Sequence, residues 1–358
     1  MTAMTPTRQV SLTFSGGNGE DLAKIRDNCS ALLIHNEHLW IGGDEGTCVD
    51  RFAPLPDGNF GLHQRFDLAS ILNLAADGGE IDIEGLDASE HYLWLVGSHS
   101  LKREKAQPGE SASKNRRRLE VVKSEANRYT LARVPFDGNN APATHVEHRQ
   151  AARLPGDSRG DLLTHAVALD KCIGPACAIP SKENGLDIEG LAVKGDRVFV
   201  GLRGPVVRGW AVILDLSLET SDAKMGLTSV RKHLVELEGL GVRDLYIEGQ
   251  DLHILAGPSM NLDGPVFVFR WPGALGQMAE QVVWRKQLIK ELAVPFGTGQ
   301  SAGHDHAEGI MLLPEADRNR RSVMVCYDSP GPAHLVEGRP NQLLLDVFPL
   351  AEKDVDGS

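Results

Sequence analysis

Aromatic residues, cysteines and long apolar runs are all scarce in this chain of 358 residues. The five cysteines are odd in number and scattered, which argues against a disulfide framework and favours reduced thiols. No apolar run approaches the roughly 18 residues that a membrane-spanning helix needs. The first ten residues also lack the apolar core of a signal peptide. We therefore expect a cytoplasmic protein that does not associate with membranes.

Positive charge is also in short supply. The chain has 37 Lys and Arg against 49 Asp and Glu, a formal net charge of -12. A general nucleic-acid binder normally has the opposite sign, so we expect no such binding. The sequence contains neither a phosphate loop ending in Gly-Lys-Ser/Thr nor a Gly-x-Ser-x-Gly elbow. We expect no nucleotide cofactor, and nothing in the sequence identifies a protein partner.

What the sequence does contain is a repeat. Two short apolar strands joined by a polar turn recur five times, a pattern typical of repeated β-hairpins. The copies are CSALLIHNEHLWIGG (29–43), IDIEGLDASEHYLWLVGS (81–98), LDIEGLAVKGDRVFVGLRG (186–204), VRDLYIEGQDLHILAGPS (242–259) and HAEGIMLLPEADRNRRSVMVCYDS (306–329). One position is shared by all copies, and its occupants are Ser30, Glu84, Glu189, Arg243 and Glu308. Their spacings are 54, 105, 54 and 65 residues, so the second interval holds either a large insertion or a degenerate copy.

Further strand-like runs follow each hairpin and complete a unit of four strands. Third strands are predicted at Tyr129–Phe136, Trp210–Leu216, Val266–Trp271 and Leu343–Phe348, and outer strands at Leu62–Phe66, His145–Arg149, Val230–Val235 and Gln281–Gln287. Four-stranded units with a period near 50 residues are typical of a β-propeller. We predict an all-β fold over 1–358, a single β-propeller domain with five four-stranded blades, six being the alternative.

The ends of the chain are predicted to close the ring. The last unit supplies fewer than four strands, whereas the run Val10–Phe14 precedes the first unit without a partner. Pairing that run with the last blade would leave no exposed sheet edge there. Asp67–Leu74 is the candidate for a short helix in a connection. The stretch 104–127 is polar and basic and is predicted to be an insertion.

Acidic residues lead into three of the inner strands. Because side chains alternate along a strand, residues two apart share a face. The sets that share a face are Asp82 with Glu84, Asp187 with Glu189, and His304 and His306 with Glu308. Inner strands of a propeller meet at its axis, so these seven side chains are predicted to converge there. Together they would suit Ca²⁺ or another divalent metal.

Two other interpretations of the acidic ring remain open. Crowded carboxylates raise one another's pKa, and such a pair can act as acid and base. Alternatively, the glutamates bond amides of neighbouring blades and only stabilise the ring, while the glycines after them allow close backbone approach.

The second strands end in polar clusters, of which Gly97–Arg103 is the densest. If these clusters share a rim with the acidic entries, several of their side chains would contact a substrate. The predicted substrate-binding residues are Arg103, Arg203, Arg243, Ser100 and Asp328. Arginine suits a phosphoryl or carboxylate group, which predicts a small anionic ligand. His99 would serve as acid or base beside the catalytic carboxylates Glu84, Glu189 and Glu308.

At these motifs the sequence resembles the DUF3616 family of bacterial propeller proteins of unknown function. The segments that carry the resemblance are IDIEGLDASEHYLWLVGSHSLKR (81–103), LDIEGLAVKGDRVFVGLRGP (186–205), VRDLYIEGQDLHILAGPS (242–259) and AEGIMLLP (307–314). The Glu-Gly strands are also similar to those of phytase-like and esterase-like propellers. That resemblance implies metal-assisted phosphoester hydrolysis, with Glu84, Glu189 and Glu308 at the metal and Arg203 and Arg243 as anion clamps. This chain departs from the pattern at the Arg243 and Ser30 positions.

Three functions follow as hypotheses. The first is a metal-dependent hydrolase of a phosphorylated or otherwise anionic small molecule, in which a cation polarises the ester and activates water. The second is a non-catalytic propeller that binds a ligand or protein. The third is a lactonase-type esterase acting on neutral esters with the same Ca²⁺ geometry.

Overall fold

Strands dominate the chain in its computed structural model, which describes residues 4–16, 19–221, 224–313 and 321–350, with the backbone alone at residues 19 and 20. The turn of the last repeat, 314–320, lies outside the described residues. Three α-helices accompany the strands in the described part: α1 (Gly19–Asp27), α2 (Ala112–Glu120) and α3 (Leu162–Ala168). None of the helices in these ranges has both the length and the apolar character needed to cross a membrane.

The strands form curled antiparallel sheets that follow one another along the chain. After the opening strand β1 (Arg8–Thr13), the first sheet contains β2 (Cys29–His35), β3 (His38–Gly43), β4 (Cys48–Pro54) and β5 (Phe60–Asp67). The second contains β6 (Ile83–Ala88), β7 (Tyr92–Gly97), β10 (Leu131–Pro135) and β13 (Ala152–Arg153). The third contains β16 (Asp187–Lys194), β17 (Arg197–Val207), β18 (Trp210–Ser221) and β19 (Lys224–Val235).

The last two sheets complete the set and bring the chain ends together. The fourth contains β20 (Gly241–Glu248), β21 (Asp251–Gly257), β22 (Val266–Trp271) and β24 (Ile289–Val294). The fifth contains β25 (His306–Leu313), β26 (Arg321–Asp328), β28 (Arg339–Leu350) and the opening strand β1. β1 pairs antiparallel with β28 from Arg8 opposite Val347 to Thr13 opposite Gln342. Leu12 of β1 also bridges Phe60 of β5 in parallel, so the first and fifth sheets are joined into one continuous sheet of nine strands. The predicted pairing of the N-terminal strand with the last sheet is therefore present.

Short strands fill the connections. The pairs are β8 (Lys102–Arg103) with β9 (Val122–Lys123), β11 (His145–Val146) with β12 (Arg149–Gln150), and β14 (Gly156–Asp157) with β15 (Gly160–Asp161). Two more extend larger sheets: β23 (Val282–Val283) beside β19 and β27 (Leu335–Val336) beside β28. The predicted insertion thus contains helix α2 between β8 and β9.

The first strands of the five sheets contact one another in sequence. β2 contacts β6, β6 contacts β16, β16 contacts β20, β20 contacts β25, and β25 contacts β2. Large apolar side chains such as Trp40, Phe199 and Phe269 are fully buried among the sheets. Hydrophobic burial against the neighbouring sheet is therefore the main force holding one sheet to the next.

Each of these inner strands contains a β-bulge, an irregularity at which one strand has an extra residue relative to its partner. The extra residues are Ser30 in β2, Glu84 in β6, Glu189 in β16, Arg243 in β20 and Glu308 in β25. They occupy the one position that the sequence repeat shares. A bulge bends the strand and re-aims its side chain, so the repeat encodes five re-aimed side chains at equivalent places.

Glycine follows three of the bulged residues because neighbouring inner strands come very close. A Cβ added at Gly85 would lie 2.7 Å from Leu191 Cβ and 2.9 Å from its backbone nitrogen. One at Gly309 would lie 3.0 Å from Leu32 Cβ. The motif Glu-Gly thus combines a re-aimed acid with a close contact to the adjacent sheet.

Gly85→Val is expected to destabilise the fold by about 3 kcal/mol, because the added methyl groups overpack a site bounded by backbone. Chemical denaturation would measure the change. Gly138→Val is the matched control, since a Cβ there meets nothing within 4 Å. Equal stability for the two variants would contradict the close packing described here.

Amides of neighbouring inner strands are bonded by aspartates and not by the motif glutamates. Asp87 accepts the Val193 amide at 2.6 Å, and Asp244 accepts the Ile310 amide at 2.8 Å. One alternative gave Glu84, Glu189 and Glu308 this role. The bulge instead turns the glutamates towards the centre of the ring.

Two outer strands and one helix differ from the sequence predictions. His145–Arg149 lies in the small β11–β12 hairpin, and the outer strand of the second sheet is β13. The Gln281–Gln287 segment contributes β23 to the third sheet, while β24 completes the fourth. In the segment 67–74, Asp67 ends β5 and residues 69–73 form turns, so the segment is not a helix. The pattern of apolar residues predicts where strands lie, but it does not predict with which neighbouring strand each one pairs.

Candidate functional site

A central cavity of about 480 Å³ opens where β6, β16 and β25 begin. Seven carboxylates line its inner part: Asp44, Asp82, Glu84, Asp187, Glu189, Glu308 and Asp328. Two buried arginines, Arg128 and Arg203, lie among them. The mouth is the outer, more exposed part of the lining, formed by Glu45, Lys102, Arg103, Glu104, Lys105, Leu119, Lys182 and Glu183. The cavity therefore has an acidic interior and a mixed, partly basic mouth.

Glu189 is the centre of a buried ion-pair network. Its side chain is 2% exposed. It accepts Arg203 Nη1 at 2.6 Å and Arg243 Nη1 at 3.0 Å. The same Arg243 nitrogen donates to Glu308 at 2.6 Å. Burial alone would raise the pKa of Glu189, but the two guanidinium groups outweigh it and lower the pKa. Glu189 is accordingly ionised at neutral pH.

Arg128 forms ion pairs with a second group of acids at the cavity. Its guanidinium donates to Asp82 and Glu80, and to Glu125 at 2.9 Å. It also donates to Ser100 Oγ at 3.1 Å. Burial raises the pKa of Asp82 while Arg128 opposes that rise, which leaves the pKa at about 6. Asp82 is thus mainly ionised at pH 7 and is held in one orientation.

Glu84, like Asp44, is a lining carboxyl group without a cationic partner among the described residues. Within the described ranges its side chain has no hydrogen bond or ion pair. Burial and the charges of Asp82, Glu189 and Glu308 raise its pKa well above the ordinary value. Asp82, which lies just before β6, and Glu84, which lies in β6, therefore differ in protonation because one has an arginine and the other has none.

Three more lining carboxyls are also harder to ionise than usual. Burial and the charge of Asp328 raise the pKa of Asp44 to about 8 and that of Glu308 to about 7. Burial and Glu189 raise the pKa of Asp187 to about 8. One oxygen of Asp44 is buried without a hydrogen-bond partner in the described structure.

These shifts predict that stability falls as pH rises from about 5 to 9. Over that interval the folded state keeps protons on Asp44, Asp187 and Glu308 that the unfolded chain releases. His334, whose pKa is raised to about 9 by Asp305 and Asp346 against the effect of burial, adds stability that is lost as pH rises through that value.

The melting temperature measured from pH 5 to 9 should therefore decrease. Asp44→Asn should flatten the decrease, whereas Asp77→Asn at an exposed site should not. A flat or rising profile for the unmodified protein would contradict the shifts.

The structure brings most of the predicted site residues together. The carboxylates Asp82, Glu84, Asp187, Glu189, Glu308 and Asp328 and the arginines Arg103 and Arg203 all line the cavity. Arg243 lies behind them, bonded to Glu189 and Glu308. Arg203 and Arg243 are thus committed to carboxylates, which leaves neither free to clamp an anion as the resemblance implies. Their observed role is to compensate buried acids.

Besides Arg243, four predicted residues do not contribute to the lining. His99 is buried and bonded through both ring nitrogens, to Asp161 at 2.9 Å and to the Gly97 carbonyl at 2.8 Å. Ser100 is buried and accepts from Arg128. His304 faces the Ser329 carbonyl at 3.3 Å, and His306 lies between Asp263 and Asp328. Simple alternation fails for the two histidines because Asp305 between them has a φ of 58°.

The predicted metal set does not fit a metal ion as it is arranged. Glu189 and Asp82 direct oxygens at arginines, and His304 and His306 lie outside the cavity lining. No group of three or more His, Cys, Asp or Glu within the described ranges is arranged to hold a metal ion. We derive no chemistry through a metal, and metal dependence stays a prediction.

Several lining residues were not found by sequence reasoning, among them Arg128, Lys105, Lys182 and Asp44. Arg128 lies just after the insertion, and no local pattern distinguishes it from the other arginines there. Lys182 lies in a short 3-10 helix, Ser181–Glu183, and no neighbouring sequence pattern indicates that its side chain would face the cavity. Asp44 follows the second strand of the first repeat in Gly42-Gly43-Asp44. That is where the other repeats place their polar clusters, so its position was a usable signal.

Several solved structures resemble this chain distantly. A GH43 β-1,3-galactosidase with galactodeoxynojirimycin is 9% identical, with 90% of each chain covered and a TM-score of 0.42. A luciferin-regenerating enzyme is 7% identical, with 93% and 94% covered and a TM-score of 0.35. A hypothetical selenium-binding protein from Sulfolobus tokodaii is 11% identical, with 91% and 82% covered and a TM-score of 0.36. These likenesses carry no argument about the chemistry of the cavity.

No curated protein matches the sequence. A family model does, over residues 28–346, and its description is "Protein of unknown function (DUF3616)". The match includes the inner strands of all five sheets and every residue that lines the central cavity. The chain therefore belongs to the DUF3616 family.

Proposed function

We propose that the central cavity is the active site of a hydrolase for a small anionic molecule, working by carboxyl acid–base chemistry. One observation carries the proposal: Glu84 has no cationic partner, whereas Asp82 beside it has Arg128. Paired carboxyls with pKa values pushed apart are the usual arrangement of an acid and a base. The anionic substrate class is supported by the cations of the mouth, Lys102, Arg103, Lys105 and Lys182.

The proposed reaction uses the two groups in one step. A water molecule attacks the phosphorus or carbonyl carbon of the substrate and forms a new bond to oxygen. Asp82 accepts a proton from that water. The bond to the leaving oxygen breaks, and Glu84 donates its proton to that oxygen. Exchange with solvent then moves a proton from Asp82 to Glu84, so no net charge accumulates.

Arg128 would act as the positioning residue for the base. It contacts Asp82 directly and is itself held by Glu80, Glu125 and Ser100. Its charge favours ionised Asp82, and its several bonds restrict the orientation of that carboxylate. Glu189 would not serve as an acid or a base in this step, because two arginines already bond its oxygens.

We also infer that the five sheets are the blades of one propeller domain. Each has a core of four strands, which follow chain order in the first four sheets, while the N-terminal β1 supplies the fourth strand of the fifth. Contacts between inner strands run from the first sheet to the fifth and back to the first. The equivalent bulges in all five inner strands support this count.

The test is a hydrolase panel on the purified protein, with and without a chelator. p-Nitrophenyl phosphate, p-nitrophenyl acetate and a neutral lactone represent the phosphoester, ester and lactone classes. Turnover of the anionic substrate that persists with chelator supports the proposal, and the pH profile should be bell-shaped with its acid limb near pH 6.

Other outcomes favour the other hypotheses. Activity abolished by chelator supports a metal-dependent hydrolase. Turnover of the lactone alone supports a lactonase-type esterase. Inactivity on the whole panel, combined with measurable ligand binding, supports a binding propeller.

A further inference from the structure

Two lysines at the mouth of the central cavity carry uncompensated charge. Within the described ranges, the ammonium groups of Lys105 and Lys182 have no hydrogen bond or ion pair. Their neighbours differ: Lys102 bonds Glu80 at 2.8 Å, and Arg103 bonds Glu183. The two lysines are therefore the cations of the lining that remain available to a ligand.

A bidentate ion pair holds the two lysine-bearing segments together. Arg103 precedes Lys105 by two residues, and Glu183 follows Lys182 directly. Arg103 donates through Nε and Nη2 to both carboxylate oxygens of Glu183, the second at 3.1 Å. The fixed fork of a guanidinium makes such a pair orientationally specific.

Backbone bonds reinforce this arrangement. The Ser181 amide donates to the Leu101 carbonyl at 3.0 Å. On the other side, Arg118 donates to the Lys105 carbonyl at 2.8 Å, and Arg103 donates to the Leu119 carbonyl at 2.6 Å. Lys105 thus sits on a segment of the insertion that is tied both to helix α2 and to the short 3-10 helix of Lys182.

The position of Lys182 links the mouth to the acidic interior. Its charge lowers the pKa of Asp187 and of Glu189, which shows that the ammonium group lies within electrostatic range of both. An anion at Lys182 would therefore be bound at the edge of the carboxyl cluster. It would not have to displace Arg203 or Arg243 from their ion pairs.

We propose that Lys105 and Lys182 form the anion subsite of the central cavity, which binds the phosphate or carboxylate of the substrate while its scissile bond faces Asp82 and Glu84. The assignment rests on the proposed function for the identity of the site. It also gives the insertion a role, because Lys105 comes from it. Lysine binds such groups as a mobile point charge with three donors.

The test uses inorganic phosphate as the probe and calorimetric titration as the measurement. The unmodified protein should bind phosphate, with an affinity that weakens as salt increases. Lys105→Ala with Lys182→Ala should weaken binding by about tenfold or more, since both compensating charges are lost. Lys105→Glu with Lys182→Glu should abolish it. Lys171→Ala, at an exposed position outside the lining, is the matched control and should bind as the unmodified protein does.

The outcomes separate this inference from the proposed function. Phosphate binding that disappears in the double variants supports the subsite even if the panel detects no hydrolysis. Hydrolysis with an unchanged KM in the double variants overturns the subsite and leaves the hydrolase intact. Absence of phosphate binding by the unmodified protein, or equal loss in the Lys171 control, also overturns it. Circular dichroism would confirm that all variants are folded.

Discussion

Glu189→Gln is expected to destabilise the protein by about 3–5 kcal/mol, because two buried arginines would lose the negative charge of the carboxylate that they share. Arg203 and Arg243 each have side chains only 6% exposed, so water cannot replace the lost charge. Chemical denaturation at pH 7 would measure the difference in the free energy of unfolding.

Glu147→Gln is the matched control for this prediction. Glu147 also bonds an arginine, Arg149 at 3.2 Å, but its side chain is 71% exposed. Loss of such a pair should cost less than about 1 kcal/mol. If Glu189→Gln proved no more harmful than the control, the network would not be a determinant of stability.

Glu84→Gln is expected to lower kcat by about 10²–10⁴-fold on the substrate that the panel identifies, because the amide cannot donate the proton to the leaving oxygen. Stability should be unchanged or higher, since the substitution removes a carboxyl group that is difficult to ionise in the fold. The combination of lost activity and retained stability separates a catalytic role from a structural one.

Two measurements make this second prediction sharper. Carboxyl ¹³C NMR should show glutamate signals from Glu84 and Glu308 that titrate above the ordinary range, and the Glu84 signal should be missing from Glu84→Gln. Glu45→Gln, at an exposed position of the mouth, should leave kcat within about twofold, since surface charges contribute little. Full activity in Glu84→Gln would exclude this residue as the acid.

The sequence repeat identified one equivalent position in all five inner strands. Ser30, Glu84, Glu189, Arg243 and Glu308 could be aligned because the inner hairpins share turn and strand patterns. The bulge at each of them could not be foreseen, since it depends on pairing with the second strand. The same repeat also indicated that Asp82 and Asp187 would lie near the centre.

The sequence could not indicate which arginine would form an ion pair with which buried carboxylate. Arg128 meets Asp82 across 46 residues of chain, and Arg243 meets Glu308 across 65. Such pairs depend on how loops return to the ring, for which periodicity carries no information. For the same reason the sequence suggested that His99 was available for chemistry, although in the fold it bonds Asp161, which lies 62 residues further along the chain at the end of β15.

The pairing of Arg8–Thr13 with the strand Arg339–Leu350 has a consequence for biosynthesis. The strand Arg8–Thr13 is synthesised long before Arg339–Leu350, so it must wait for this partner until that later segment has left the ribosome. Contacts between such distant segments form slowly, and unpaired strand edges invite association with other chains. We expect nascent chains released before residue 339 to be recognised by chaperones or proteases, however well their earlier sheets have formed.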